Sequence, residues 1–234
     1  MKALRIFSLF LLLILCAPYA FSQPRLSTMP EYTLSVADRT AGIDGKLSVM
    51  VKIDKTGKVK SADIWNGPFW PCGVDLDTAV ERVRKDVRKT FMAATFEPLI
   101  VGGRSQDSQM LMEFLVGNTY DEAKKHEGYR PVDPIALPPG IVHDNDLKKK
   151  VKSLPNAIYP EGARGMTMIR VFVVVDELGN VTLAGSSAGS DEIAFSDAAR
   201  HAACKAKFTP TLINGVPSKV AGELTYGFGI GTVH

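Results

Sequence analysis

The sequence repeats itself once, and this repeat is the strongest constraint on what the chain can fold into. The motif Asp-x-x-Gly-x-Val occurs at 54–59 and again at 176–181, and Phe-x-Pro occurs at 96–98 and again at 208–210. Self-similarity of this kind predicts two copies of one structural unit. The first copy is longer between the two motifs, and its extra residues include the insertion Gly67–Gly73. A length of 234 residues is compatible with two small domains.

Each copy begins with a stretch in which apolar residues occupy every second position. These residues are Leu47, Val49, Val51 and Ile53 in the first copy, and Ile169, Val171, Val173 and Val175 in the second. Such alternation, rich in β-branched residues, predicts a half-buried strand. Because the Asp-x-x-Gly motif that follows is typical of a tight turn, each copy should continue into a second, antiparallel strand.

A helix and a last strand complete each copy. Apolar residues recur at steps of three and four over 76–94 and over 195–206, which predicts amphipathic helices. The final strands cover 110–116 and 222–228. The predicted fold is therefore α+β, with the order β-β-α-β in tandem at 38–117 and 155–230. Proline pairs such as Pro138-Pro139 between the copies predict an extended linker over 118–154.

The first 22 residues are typical of a secretory signal peptide rather than of the fold. Lys2 and Arg5 precede an apolar run over 6–15, and the small residues Ala20 and Ser22 lie before Gln23. The apolar run is shorter than the ~20 residues that a membrane-spanning helix needs. We therefore expect export to the periplasm. An uncleaved anchor is the alternative, and only that alternative would attach the protein to a membrane.

Charge and motif content exclude several classes of function. The formal net charge of +3 is far below that of a nucleic-acid binder, so no nucleic-acid partner is predicted. The four histidines do not occur at metal-ligand spacing, and no glycine-rich phosphate loop precedes a helix. The sequence therefore predicts neither a metal nor a cofactor.

The second copy resembles the TonB C-terminal domain. The resemblance rests on ordered pieces, namely Tyr159-Pro160-Glu161-Gly162-Ala163-Arg164, the strand ending in Asp176-Glu177-Leu178-Gly179-Asn180-Val181, Ser186-Ser187-Ala188-Gly189, Phe208-Thr209-Pro210 and Asn214-Gly215-Val216-Pro217. The first copy is similar to a diverged member that retains Ala41-Gly42-Ile43-Asp44-Gly45. The resemblance implies a non-enzymatic protein of the cell envelope, acting in TonB-type transport.

What the resemblance implies about partners is specific. Family members bind a short peptide of outer-membrane transporters by adding it as a strand to a sheet edge, a mode that suits any half-open sheet. Carried over to this sequence, the edge is the last strand, and the segment before Tyr159 also contacts the peptide. The expected partner-binding residues are Asn156, Ala157, Tyr159, Leu224, Thr225, Tyr226, Gly227 and Phe228. Pairing of edges between two copies, as in a homodimer, competes with peptide binding.

The chain departs from the family in ways that support a second hypothesis. Asn156-Ala157 stands where the family has Gln-Pro, and no long proline-rich spacer precedes the first copy. A soluble periplasmic interaction or scaffold protein without a transport role is therefore the alternative. A third hypothesis comes from Gly185-Ser186-Ser187-Ala188-Gly189, which matches the nucleophile elbow of serine hydrolases. Ser187 would be the nucleophile, whereas a glycine-rich loop before a helix is the simpler interpretation.

Two groups of residues have two interpretations each. Cys72 and Cys204 either form a disulfide that joins the copies or remain two free thiols. Trp65, Phe69 and Trp70 surround the insertion and either form an aromatic docking patch or cover the core, with Trp65 favoured as the core residue.

Overall fold

The structure, a computed structural model, describes residues 24–124, 141–188 and 193–229. Within these ranges the chain is α+β, consisting mostly of strands with four α-helices. The predicted signal peptide at 1–22 lies outside the described residues. Among the residues that are described, no helix is both long and apolar enough to span a membrane.

The first half of the structure, residues 24–124, is built around a three-stranded antiparallel sheet. Its helices are α1 (Val36–Thr40), α2 (Asp77–Met92) and α3 (Gly117–Lys124). Its strands are β1 (Leu26–Thr28), β2 (Gly45–Ile53), β3 (Val59–Asn66), β4 (Trp70–Pro71), β5 (Thr95–Phe96), β6 (Leu99–Val101), β7 (Arg104–Gln106) and β8 (Ser108–Val116). The main sheet has the order β3-β2-β8, and α2 closes one hydrophobic core over it.

The second half, residues 141–229, is built around a five-stranded sheet. It contains α4 (Ile193–Cys204) and a 3₁₀ helix at Leu147–Lys150. Its strands are β9 (Val142–His143), β10 (Val151–Ser153), β11 (Thr167–Val175), β12 (Val181–Ala188), β13 (Lys207–Phe208), β14 (Leu212–Ile213), β15 (Val216–Pro217) and β16 (Val220–Phe228). The sheet order is β4-β12-β11-β16-β9, and α4 packs on it over a second core.

The alternating apolar residues form the two central strands. In β2 the side chains of Leu47, Val49, Val51 and Ile53 are at most 1% exposed, and so are Ile169, Val171, Val173 and Val175 in β11. One face of each strand is thus buried under a helix, as the period of two requires. Burial of these side chains is the main contribution to the stability of each half.

The two repeated motifs recur because they contact each other. The Asp54 carboxylate accepts hydrogen bonds from the N–H groups of Thr56 and Lys58, at 2.7 and 3.0 Å, which closes the turn between β2 and β3. Gly57 in this turn has φ +88° and accepts a hydrogen bond from the Phe96 N–H at 2.8 Å. The Asp-x-x-Gly turn is therefore the docking point for the Phe-x-Pro segment that leaves the helix.

The second half repeats this contact. Asp176 caps the turn by accepting from the N–H groups of Leu178 and Asn180, and the Phe208 N–H donates to the Gly179 carbonyl at 2.8 Å. A Cβ atom on Gly179 would lie 2.0 Å from the Phe208 carbonyl oxygen. This position therefore requires glycine for two reasons, its positive φ and the close approach of backbone.

Substitution of Gly179 should separate the cost of its positive φ from the cost of the backbone contact with Phe208. We expect Gly179→Ala to lower the free energy of unfolding by about 3 kcal/mol, because strain at positive φ adds to a backbone clash. Gly215 is the matched control, since its φ is +82° but nothing lies within 4 Å of an added Cβ. Gly215→Ala should cost only about 1 kcal/mol. Equal losses in chemical denaturation would contradict the contact between the motifs.

The prediction of an extended linker over 118–154 is wrong for the described part of that segment. Helix α3 occupies 117–124, because the prolines that argue against a helix begin only at Pro131. Residues 141–153 fold onto the second half, where β9 pairs in parallel with the start of β16 and Leu147 is 1% exposed in the core. The Lys150 ammonium donates to the Asp144 carboxylate at 2.6 Å and to the Thr211 hydroxyl at 3.0 Å, so it links this segment to the second half. Residues 125–140 lie outside the described ranges.

Candidate functional site

The insertion Gly67–Gly73 lies between the two halves and belongs to both. Its residues Trp70 and Pro71 form β4, which pairs with Ala184 and Leu183 of β12 in the second half. The Cys72 N–H extends this pairing by donating to the Thr182 carbonyl at 3.0 Å. The first half thus adds a strand to the sheet of the second, a result that corrects the expected separate three-stranded sheet. The outer edge of β12 is covered at 182–184 in consequence.

A buried arginine joins the two helices across this junction. Arg84 of α2 is 4% exposed, and its guanidinium donates to both carboxylate oxygens of Asp197 of α4, each at 2.7 Å. Its Nε donates to the Gly67 carbonyl at 2.8 Å, at the start of the insertion. Burial by itself would lower the pKa of Arg84, but the hydrogen bonds with Asp197 and Glu81 outweigh burial and raise it. This bidentate pair fixes the angle between the halves.

A second arginine holds the insertion from the other side. Arg200 of α4 lies over the Trp70 ring, 3.5 Å from the ring centroid, and donates to the Trp70 and Pro71 carbonyls at 2.8 and 3.1 Å. Burial lowers the pKa of Arg200 to about 10. Trp70 is 2% exposed, whereas Trp65 is half-buried. Trp70, not Trp65, is therefore the core tryptophan, and it cannot be part of a docking patch.

The two cysteines close the junction covalently. Cys72 and Cys204 form a disulfide with a Cα–Cα distance of 5.4 Å across 132 residues of sequence. We call the insertion, the Arg84–Asp197 pair, Arg200 and this disulfide the junction. Because the junction contains all of these contacts, the two halves cannot move apart without breaking several of them.

The disulfide should make a large contribution to stability. A crosslink that closes a long loop reduces the entropy of the unfolded chain, and for 132 residues the expected gain is about 4–5 kcal/mol. We expect the Cys72→Ser, Cys204→Ser double variant to lose that much free energy of unfolding in denaturant titrations. Treatment of the wild type with reductant should lower its stability to the same level. An unchanged midpoint in both experiments would contradict the bond.

The contribution of the ion pair at the junction can be tested with a matched control, because Arg84 has two acidic partners. The Asp197 side chain is 28% exposed, whereas that of Glu81 is 67% exposed. We expect Asp197→Ala to cost about 3 kcal/mol, since it leaves a buried guanidinium poorly paired. Glu81→Ala, the matched control, should cost less than about 1 kcal/mol. The measurement is again the free energy of unfolding, and similar losses would show that the junction does not depend on the buried pair.

Strand β16 carries the edge expected to bind a partner. Beyond its pairing with β11, β9 contacts only Val220 and Ala221, and no other strand in the described ranges pairs with this side. The 3₁₀ helix lies against Gly222, where an added Cβ would meet Leu147 at 2.6 Å, so within the described ranges the stretch without a second strand neighbour is Leu224 to Phe228. The predicted partner-binding side chains differ in exposure. Leu224, Tyr226 and Phe228 are at most 5% exposed and belong to the core. Burial also raises the pKa of Tyr226.

Two exposed methionines lie beside the C-terminal end of this edge. Met166 and Met168 are 79 and 71% exposed; Met168 lies opposite Gly227 in the register of β11 and β16, and a Cβ on Gly229 would meet Met166 at 3.2 Å. The next residue on this face of β11 is the exposed Arg170, opposite Thr225. Thr225 is half-buried and Gly227 exposed on that same face. Sequence reasoning did not identify the two methionines, although their alternation with buried β11 residues was a usable signal. Exposed apolar clusters of this kind are typical of interaction surfaces.

The segment before β11 flanks the same end of the strand on its other face. The Tyr159 ring lies 5.3 Å from the Phe195 ring and 6.3 Å from the Phe228 ring, and its hydroxyl donates to the Gly165 carbonyl. Asn156 is exposed, and Ala157 packs partly against the core. The structure therefore brings Tyr159 to the edge strand and leaves Asn156 in solvent nearby.

The Gly-x-Ser-x-Gly segment is described up to Ala188, and Gly189 lies outside the described residues. Residues 185–188 lie within β12, paired with β11, rather than on a sharp turn between strand and helix. The strand continues through Ser187 with a bulge, since the register on β11 shifts between Ser186 and Ala188. His201 contacts Asp77 at 3.3 Å, and His234 lies outside the described residues. Over the described ranges no group of three or more acidic, histidine or cysteine side chains could hold a metal.

Comparison of the chain with family models, with curated proteins and with solved structures finds no match in any of the three. The candidate site therefore rests on its own geometry. That geometry is an open strand edge, an apolar flank of methionines and a junction that closes the opposite edge.

Proposed function

We propose that this chain is a tandem relative of the TonB C-terminal domain that binds an extended protein segment along β16. Each half would then be one β-β-α-β unit, β2-β3-α2-β8 in the first and β11-β12-α4-β16 in the second. The observation that carries the proposal is the edge of β16 from Leu224 to Phe228, with whose outer side no strand of the described ranges pairs and beside which Met166 and Met168 are exposed. The process is TonB-type transport across the cell envelope, and the partners are outer-membrane transporters.

The chemistry of such an edge favours an extended segment. Backbone N–H and C=O groups on the open side of β16 can form a ladder with any extended chain, which supplies affinity without sequence preference. Selectivity then comes from alternate side chains of the segment. On one face they would lie near Thr225 and Met168, and on the other near Tyr159. We therefore expect segments with apolar residues at every second position.

The junction supports β16 rather than β12 as the acceptor. Strand β12 is the other outer strand of the second unit, but Trp70 and Pro71 already pair with it. Arg200 and the disulfide hold the Trp70–Pro71 strand against β12. The middle of the β12 edge is thus occupied from within the chain, and we expect a partner at the opposite edge, from Leu224 to Phe228 of β16.

The proposed compartment is the periplasm. The signal-peptide pattern at 1–22 supports export, and a disulfide is compatible with an oxidising compartment. After removal of the signal peptide, Cys72 and Cys204 are the only cysteines, so the mature protein would carry no free thiol.

This cysteine content allows a direct test by crosslinking. A single cysteine is introduced by Thr225→Cys, and the probes are synthetic peptides from the periplasmic N-terminal segment of an outer-membrane transporter, each with one cysteine. We expect disulfide-linked adducts with cysteines at every second peptide position, because side chains of an added strand alternate between faces. The readout is the mass of the adducts.

Ser105→Cys is the matched control, since Ser105 is an exposed strand residue of the first half. It should give no adducts that alternate along the peptide. Adducts without alternation at Thr225→Cys, or none at all, would contradict strand addition at β16. Recovery of other envelope proteins but no transporter on immobilised protein would favour the scaffold hypothesis instead.

A further inference from the structure

The first half contains a cavity at the C-terminal end of β8. The segment before α1, α1 itself and the first turns of α3 come together there. The cavity has a volume of about 180 Å³, close to the ~150 Å³ that suffices for a molecule such as benzene and below the ~300 Å³ of sites for drug-sized ligands. A ligand that fits it is therefore small. Its walls include Glu31, Tyr32, Leu34, Arg39, Tyr120 and Asp121.

Contacts within the protein hold these walls in place. The Asp44 carboxylate accepts a hydrogen bond from the Thr119 N–H at 2.9 Å, which fixes the first turn of α3. Arg39 of α1 forms an ion pair with Asp121 of α3 and so joins the two helices at the cavity. Leu34 is 4% exposed and anchors the segment before α1 in the first core. The space is thus formed by the fold itself, as is usual for sites that bind small molecules.

Two tyrosine rings form part of the cavity wall. Tyr32 and Tyr120 are both half-buried, and the Tyr32 ring packs against the Phe114 ring at a centroid distance of 5.9 Å. Burial, together with the negative charges of Asp86 and Asp38, raises the pKa of Tyr32 to about 12, so this phenol adds no charge of its own at neutral pH. The face of such a ring is electron-rich and attracts cations, including quaternary ammonium groups.

The charged side chains of the wall favour the same sign of ligand. The lining contains two carboxylates, of Glu31 and Asp121, and one guanidinium, that of Arg39. Arg39 is already paired with Asp121, so negative charge is in excess around the cavity. An anion would meet net repulsion there, whereas a cation is attracted.

We propose that this cavity binds a small alkylammonium ion of about the size of choline. The tyrosine rings attract the ammonium group, the carboxylates add attraction over a longer range, and Leu34 and Val116 supply apolar surface for the alkyl groups. The site lies in the first half, away from β16, and is separate from the binding of extended segments proposed above.

The ligand class can be tested by comparing choline with a neutral molecule of the same shape. In 3,3-dimethylbutan-1-ol a carbon atom replaces the nitrogen of choline. We expect calorimetric titration of the full chain to show binding of choline chloride, with a Kd about tenfold or more lower than that of the alcohol. Sodium acetate should not bind. Absence of choline binding, equal affinity for the alcohol, or a preference for acetate would overturn the proposal.

Substitutions at Tyr120 locate the binding in this cavity. Tyr120→Leu removes a ring and should raise the Kd for choline about tenfold. Tyr120→Phe is the matched control, since it keeps the ring and should leave the Kd within about twofold of the wild type. Equal losses in the two variants would contradict a contact between the cation and the ring.

Arg39 gives a test of opposite sign. Arg39→Gln removes a like charge and leaves the Asp121 carboxylate to the ligand, so it should lower the Kd for choline about threefold, whereas Glu31→Gln should raise it by a similar factor. A gain in affinity cannot result from misfolding, so weaker binding by Arg39→Gln would overturn the proposal. Crosslinking of transporter peptides at Thr225→Cys should be unchanged by Tyr120→Leu, so the two proposals can fail separately.

Discussion

The Arg84–Asp197 pair, set against the insertion that carries Trp70, is the interaction on which the rest of the structure depends. Each half has its own hydrophobic core, and packing within the two cores does not fix the angle between the halves. A buried guanidinium must retain its carboxylate partner, because an unpaired charge in that environment is costly. Since Arg84 lies on α2 and Asp197 on α4, this requirement joins the two cores. Arg200 and the Cys72–Cys204 disulfide strengthen the same junction.

Closing this junction decides which strand edges remain available. It pairs a strand of the first half with Leu183 and Ala184 of β12, whereas no strand of the described ranges pairs with the outer side of β16 from Leu224 to Phe228. The first half keeps the β8 edge, which lies on the far side of its own sheet. The two open edges differ in character, because β16 has fully buried core residues and an apolar methionine flank, whereas the core face of β8 is half-exposed.

Much of the fold could be predicted from local patterns, and the reasons are physical. Alternation fixed the faces of β2 and β11, and the Asp-x-x-Gly turns after them form as expected because their hydrogen bonds are local. The candidate site could be predicted only in outline. The last strand was correctly placed in the chain, but the burial of Tyr226 and the exposure of Met168 depend on which face each helix covers. The linker prediction is wrong at 141–153 because Leu147 is buried by residues distant in sequence.

The sequence by itself determined the repeated units, their order of elements and the turns that connect their strands. Periodicity and turn chemistry act over a few residues, so they can be read without a structure. Only the tertiary structure decided how the insertion is used, that Trp70 rather than Trp65 is buried, and that Cys72 and Cys204 meet. These outcomes require residues more than a hundred positions apart to come within a few ångströms. No local pattern specifies such an approach, because it follows from the packing of two cores against a shared strand.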